Sequence, residues 1–582
     1  MNNHLTDITN ILIIGSGGAG LRAAIEAKLA GLDVKVIGKR NKYDVHTGLA
    51  AGGINAAFGN LDKKDSWEQH FADTYLEGYG IGDPRSIEIM AKEAPQAVEE
   101  IDKWGANFEK IESGMFDQRF FGAHTYRRTC YSGDFTGQSI LNALLKKANE
   151  LNIPIHDSTY VSDLLVHQKC CFGAMTFNLN NGERTVYIAD AVIICTGGHT
   201  RIWKKSSSRK QENTGDGYHL ALKAGCTLVD MEMVQFHPTG MVLPEDIAGT
   251  LVTEAVRGEG GRLINGVGER FMKNYDIDRM ELSTRDRVAI ANYTEIIEGR
   301  SSPNGGVFLD ISHKDKEFII NKIPKIYRQF IDSQSIDISK QPMEVAPTAH
   351  YSMGGILVKA DDHSTEILGL YAAGEAAGGL HGANRLGGNS LAEILIFGKI
   401  SGKAASEYSK KLTSSFRCSK AIQLAHENIN SIISKGEELV IPLQRELSEI
   451  MWKYCGVVKN KEQLINGLSK LRVLRERSHN IDVRINDRNY QDLINTLDFK
   501  SSLVTAEATI ISSIEREESR GAHQRSDYPE LKKSEHHNYA VKLKNHNDLC
   551  VFKEQMKYLR EDLKLIINST NKITSIEGKL LE

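Results

Sequence analysis

Ile11-Leu12-Ile13-Ile14-Gly15-Ser16-Gly17-Gly18-Ala19-Gly20 decides the fold of this 582-residue chain. Four apolar residues in a row read as a strand buried on both faces. A Gly-x-Gly-x-x-Gly turn follows at once, then an Ala-rich helix from Leu21 to Leu29 closed by Gly31, then a second strand, Val34 to Ile37. The glycine pattern alone is weak, because any tight turn uses glycine. Between strand and helix of a βαβ unit it points to a dinucleotide. Gly15, Gly17, Gly18 and Gly20 let a pyrophosphate reach the backbone at the helix N-terminus. One residue departs from the nicotinamide pattern. The acid expected after the second strand is replaced by Gly38-Lys39-Arg40, and Lys39 suits a phosphate or an adenosine edge better than a ribose diol.

Length and composition bound the rest. A chain of 582 residues is expected to form several lobes. Its 41% hydrophobic and 25% charged residues are ordinary for a globular protein, and a net charge of −3 argues against nucleic acid as a partner. The 51 glycines gather in a few short loops, the mark of close backbone approach to a ligand. The eight cysteines (Cys130, Cys170, Cys171, Cys195, Cys226, Cys418, Cys455 and Cys550) contain no C-x-x-C pair. No iron–sulfur cluster or structural zinc held by this chain alone is expected, and reduced thiols fit a cytosol-like compartment. Met1 to Asn10 carries neither a secretory nor a transit pattern. No apolar run approaches the ~20 residues of a membrane span, so a soluble chain without direct membrane insertion is expected.

Further along, Asp83-Pro84 predicts a helix start and Gly105 its end, with Ile87, Met90, Ala94, Val98 and Ile101 on one packed face. A buried strand from Ala189 ends in Cys195-Thr196-Gly197-Gly198, and Asn213-Thr214-Gly215-Asp216-Gly217 follows. From about 406 to 520 the pattern is helical, with Leu464, Leu468 and Leu471 at helical spacing. The last sixty residues are polar and are expected to contribute less core. No internal repeat is visible.

Three segments gather polar residues among glycines: Gln235-Phe236-His237-Pro238-Thr239-Gly240 with Thr253-Glu254-Ala255-Val256-Arg257-Gly258-Glu259-Gly260-Gly261; Ala349-His350-Tyr351-Ser352-Met353-Gly354-Gly355; and His381-Gly382-Ala383-Asn384-Arg385-Leu386-Gly387-Gly388-Asn389-Ser390-Leu391. Arginine forks and directed His and Thr donors are what two carboxylates need. Taken singly, a histidine beside proline is more often a packed core residue; four such residues in Gly-rich settings carry more weight. Glu254 and Arg257 share a helical face, and the bland reading is a surface pair worth roughly a few tenths of a kcal/mol.

These segments, together with Val45-His46-Thr47-Gly48-Leu49-Ala50-Ala51-Gly52-Gly53, resemble the succinate dehydrogenase and fumarate reductase flavoproteins. The resemblance covers about residues 8–405 and returns at Ser519-Arg520-Gly521-Ala522-His523. It implies FAD, bonded through its 8-methyl group to His46, with Thr47, Gly52, Gly53, Asp216, Glu375, Ser390 and Leu391 as further contacts. It assigns His237, Thr253, His350 and Arg385 to the carboxylates of succinate or fumarate. Arg285 becomes the proton donor or acceptor, fed by Glu254 and Arg257, and Phe120 or Phe121 walls the site. An arginine can serve so only where a desolvated cationic cluster lowers its proton affinity and a relay resupplies the proton. The family usually has Gln where Ala51 stands and Arg-Ser where Asp44-Val45 stands.

The expected fold is α/β. A Rossmann-like FAD-binding domain (1–240 and 346–405) carries an inserted α+β capping domain (241–345), followed by a helical domain (406–520) and a small C-terminal domain (521–582). Electrons are expected to pass to a separate iron–sulfur subunit. The chain is expected to be cytoplasmic, peripheral on the cytoplasmic face of a membrane through that partner and anchor subunits. L-aspartate oxidase, which binds FAD non-covalently, is the nearest alternative. A one-subunit fumarate reductase would add haem motifs, and no C-x-x-C-H occurs. A non-catalytic FAD-binding assembly subunit would not need the intact site.

Overall fold

A computed structural model describes residues 5–485, 490–533, 536–544 and 548–569. The strand Leu5–Ile14 sits at the centre of a seven-stranded sheet, between Val34–Ile37 and Arg184–Ile194, both parallel to it. Ile155–His156 extends one side, Leu370–Ala372 pairs in parallel with Arg184–Ile194, and Cys170–Asn178 and Thr159–His167 complete an antiparallel meander. Ile11 to Ile14 are at most 4% exposed, as a strand covered on both faces requires. The helix Gly18–Leu29 follows the glycine turn and packs against Asn389–Lys411. Gly398 and Gly402 permit this contact, since a Cβ there would lie 2.6 Å from Ala19 O and 2.4 Å from Ala23 O.

Asp83 caps the helix Pro84–Ile101 by accepting from the Arg85 and Ser86 amides, and the left-handed Gly105 breaks the turn that follows. A second, antiparallel sheet has the order Val234–Met241, Met343–Ser352, Val307–Asp310 and Arg262–Ile264. The strands by which the chain enters and leaves residues 241–345 are thus hydrogen-bonded neighbours. Four helices (Ser419–Ile432, Val440–Tyr454, Lys461–Arg477 and Gln491–Glu515) share a core with residues from the meander. Leu464 and Leu471 are buried there and Leu468 is partly covered.

The C-terminal stretch contributes a small share of core. His537–Leu543 and Leu549–Gln555 form a hairpin that extends Leu228–Val229, burying Tyr539, Ala540 and Val541. Leu563 and Ile567, on the helix Glu561–Ser569, join the core around the helices Gly18–Leu29 and Pro84–Ile101. Residues 570–582 of that predicted domain lie outside the described residues. Among the described residues no helix is long and apolar enough to cross a membrane.

Gly15 is the point of the turn where both backbone angle and space demand glycine. Its φ is +116°, and a Cβ would fall 2.1 Å from Cys195 O. Gly15→Ala is therefore expected to destabilise the chain by about 2 kcal/mol or more, read as a lower thermal midpoint; an unchanged midpoint would contradict this packing.

Candidate active site

One continuous cavity runs from Lys39 past Gly17 and His46 to Arg285. Gly15, Gly17, Gly18, Thr47, Gly52 and Gly53 line it, whereas Gly20 lies beneath, where a Cβ would meet Gly15 O at 1.9 Å. Gly17 has ordinary backbone angles, and a Cβ there would meet only Thr47 Oγ1 at 3.4 Å. Space in front of Gly17 and free amides at the first turn of Gly18–Leu29 fit a pyrophosphate. The Gly18 amide is steadied by Thr47 Oγ1 at 2.9 Å. Ser390 and Leu391 occupy the first turn of Asn389–Lys411 and line the cavity, with amides that need partners from outside the helix. Those amides suit the electron-rich edge of a flavin ring. Asn55 and His124 hold the loop before them by donating to Gly387 O at 2.6 and 3.0 Å. Glu375 lines the middle of the cavity, where burial pushes its carboxyl up to about 6. These residues fit FAD in extended form.

At the far end Lys39 does not stand free. Its ammonium bonds Asp498 at 2.9 Å and Asp216 at 3.2 Å, and although burial opposes the charge, the two carboxylates raise its pKa far above the lysine value. Lys39 therefore orders this end of the cavity through an ion triad. Asp498 carries no local signal in its helical stretch, and sequence reasoning missed it.

His46 opens the turn His46–Leu49 with its ring on the cavity. Its Nδ1 lies 3.3 Å from Glu212 Oε2, and no hydrogen bond among the described residues occupies Nε2. Burial lowers the proton affinity of the imidazole, but the Glu212 carboxylate outweighs it and the pKa is raised.

The substrate end is built by two bulges and a helix start. In the pairing of Val234–Met241 with Met343–Ser352, Gln235 faces Tyr351 and Phe236 faces Ala349, so His350 is the extra residue and its side chain is re-aimed. A second irregularity follows His237. The two rings stand 5.3 Å apart, edge to face. His237 Nδ1 accepts from the Thr239 amide at 3.2 Å, which leaves its proton on Nε2 as a donor. His350 Nδ1 meets Ser207 Oγ at 2.9 Å. Burial first, then Arg285 for His237 and His237 for His350, hold both imidazoles neutral. Thr253 Oγ1 accepts from the Ala255 amide at 3.3 Å and retains its hydroxyl proton for donation.

Arg385 stacks over Tyr351 at 4.3 Å and donates to Gln235 Oε1 at 3.0 Å, while its Nε is buried with no partner among the described residues. Burial, reinforced by Arg285, lowers its pKa to about 10. Such an orphaned donor fits a carboxylate. Arg285, first residue of Arg285–Ile297, donates from Nε to Glu254 Oε2 at 2.7 Å and from Nη1 to Gln235 Oε1 at 3.3 Å. Arg257 Nη2 lies 3.8 Å from the same Glu254 oxygen. Both residues of that pair are buried, so the surface-pair reading fails. Burial pushes the Glu254 carboxyl up, yet Arg285 and Arg257 hold it at about 2. Phe121 rather than Phe120 walls the site: it is 3% exposed against 43%, and it fills the space a Cβ on Gly52 would enter.

Residues 10–391 match the family described as FAD binding domain, and residues 444–564 the one described as fumarate reductase flavoprotein C-term. The chain belongs to the succinate dehydrogenase and fumarate reductase flavoprotein family. It is 43% identical to one subunit of the fumarate reductase (CoM/CoB) of Methanothermobacter marburgensis, over 90% of this chain and 95% of that one. Identity to the succinate dehydrogenase flavoprotein subunit of Rickettsia conorii is 36%, over 90% of each. The structure of Mycobacterium smegmatis Sdh1 superposes with a TM-score of 0.89 at 36% identity, covering 99% of this chain and 98% of that one. Quinol fumarate reductase of E. coli superposes with 0.90 at 31% identity, covering 95% and 98%. The chain is accordingly an FAD-dependent oxidoreductase of this family.

Two outcomes follow from the geometry. Gly17→Ala is expected to keep the thermal midpoint of the apo chain while weakening FAD binding by tenfold or more, on the order of 1.4 kcal/mol, read by flavin fluorescence titration. Glu254, depressed in the folded state, contributes stability that is fully present above about pH 4.5 and is lost as pH falls toward about 2. Urea unfolding across that window should show a smaller loss in Glu254→Gln than in the wild-type chain.

Proposed function

We propose that this chain is the flavoprotein subunit of an enzyme that oxidises succinate to fumarate or reduces fumarate to succinate. The observation that carries the reading is the ring of neutral and cationic donors, His237, Thr253, His350 and Arg385, on the same cavity wall as the Arg285–Glu254 pair. The four donors take the two carboxylates and hold the C2–C3 bond across the cavity from Phe121. FAD, held by the glycine turn, Glu375, Ser390 and Leu391, supplies the two-electron chemistry when bound. Arg285 gives or takes the proton at the carbon next to the one that exchanges hydride. Glu254, shared with Arg257, passes that proton onward through its carboxylate.

His46 is the attachment point for the flavin in this reading, and its unoccupied Nε2 supports it. A separate iron–sulfur subunit takes up or delivers electrons, and anchor subunits would place the assembly on the cytoplasmic face of a membrane.

Acid-precipitated protein run on a denaturing gel should fluoresce as a flavin band. A dark band would remove the His46 link and favour an amino-acid oxidase that binds FAD non-covalently. Arg285→Lys should lower turnover in both directions by about 10²–10⁴-fold while FAD stays bound. Wild-type turnover in that variant would remove Arg285 from the mechanism.

A further inference from the structure

Glu212 is a buried carboxylate that the proposed reaction does not use, on the loop before the helix Asp216–Ala224. Its Oε2 accepts from the Arg209 amide at 3.1 Å and from Arg209 Nε at 3.2 Å, and meets His46 Nδ1 at 3.3 Å. Its Oε1 accepts from Arg209 Nη2 at 2.5 Å and faces Arg40 Nε at 3.3 Å. Arg40 and Arg209 both also bond Asp44, which ties the loop to the segment that carries His46. Burial favours the neutral carboxyl, but these partners hold Glu212 well below the usual range, so it is an anion that only accepts. The proton of the neutral imidazole must then sit on Nδ1, and the lone pair on Nε2.

We infer that Glu212 is the positioning residue for flavin attachment: it fixes His46 as the Nδ1–H tautomer with Nε2 as nucleophile, and it pairs with the imidazolium that attachment creates. This rests on the reading that FAD is attached through His46. A carboxylate behind a nucleophilic or basic imidazole works in the same way in hydrolytic triads, where it orients and stabilises without itself being protonated. In the attachment step the Nε2 lone pair forms the bond to the 8-methyl carbon. A methyl C–H bond breaks, its proton goes to solvent, and its electron pair reduces the flavin ring by two electrons. An unsaturated dicarboxylate or the partner's iron–sulfur centre then removes those electrons. The Nδ1 proton is held against Glu212 during bond formation and leaves to solvent when the imidazole returns to neutral. Arg209 and Arg40 keep the carboxylate charged.

Full-length chain produced without flavin is mixed with FAD and fumarate. Covalent flavin is then followed over time by in-gel fluorescence, beside fluorescence titration of unattached FAD and the thermal midpoint. Glu212→Gln should attach FAD about tenfold or more slowly with unattached binding and midpoint unchanged, and Glu212→Asp should recover part of the rate. Attachment by Glu212→Gln at the wild-type rate overturns the inference. So does a loss of attachment matched by an equal loss of FAD binding or midpoint in both variants, since that is a structural role. A wild-type chain with no covalent flavin removes the His46 reading and this inference together, an outcome distinct from the other two.

Discussion

Four parallel strands end at one level, and everything else about the site depends on that. Ile14 is in register with Ile37 and with Ile194, and Ala372 with Ile194. The ladder runs one residue further in each case: Gly15 N donates to Ile37 O at 2.8 Å, Cys195 N to Ile14 O at 2.7 Å and Ala373 N to Ile194 O at 3.0 Å. Three loops distant in sequence therefore leave the sheet side by side. They present the glycine turn, Thr196-Gly197 and Gly374-Glu375 to one crevice. Ligands of open parallel sheets sit outside the carboxyl ends of the strands for this reason. A slip of one residue would stagger the strand ends and scatter the loops.

The substrate end follows a different logic, that of buried charge. Three arginines and one glutamate are clustered in buried surroundings, and the two histidines beside them are neutral. Gln235 lets two like-charged guanidiniums converge, because its carbonyl oxygen accepts from Arg285 and Arg385 together. Its amide donates to Asn384, which in turn bonds Glu77 and Asp286. The pocket is left with surplus positive charge and with donors whose protons are already assigned. A dianion entering it meets preorganised partners rather than side chains that must reorient.

Much of this was legible in the sequence where the chemistry is local. The strand–turn–helix at Ile11 to Leu29 is written in consecutive residues, and so are the Gly-rich segments that carry His237, Thr253, His350 and Arg385. What the residues alone could not give is pairing across long separations. Glu212 behind His46, Asp498 against Lys39, and Ser207 behind His350 have no motif of their own and are set by which loops the sheet brings together. The bulge at His350 depends on register, which a single strand's pattern leaves open. The C-terminal hairpin escapes a reading by composition because a one-sided strand under a polar face looks like a loop.

The contact between Lys39 and Asp498 joins the second strand of the nucleotide-binding fold to a helix 459 residues later. The early βαβ unit cannot complete its own ion triad. During synthesis the first four hundred residues can emerge and pair their strands while Lys39 has only Asp216 to neutralise it. The full ion triad is thereby deferred until nearly the whole polypeptide has been made. At about 5–20 residues per second the gap is roughly half a minute to a minute and a half. The last helical lobe thus completes an ion cluster at one end of the cavity as well as a core of its own.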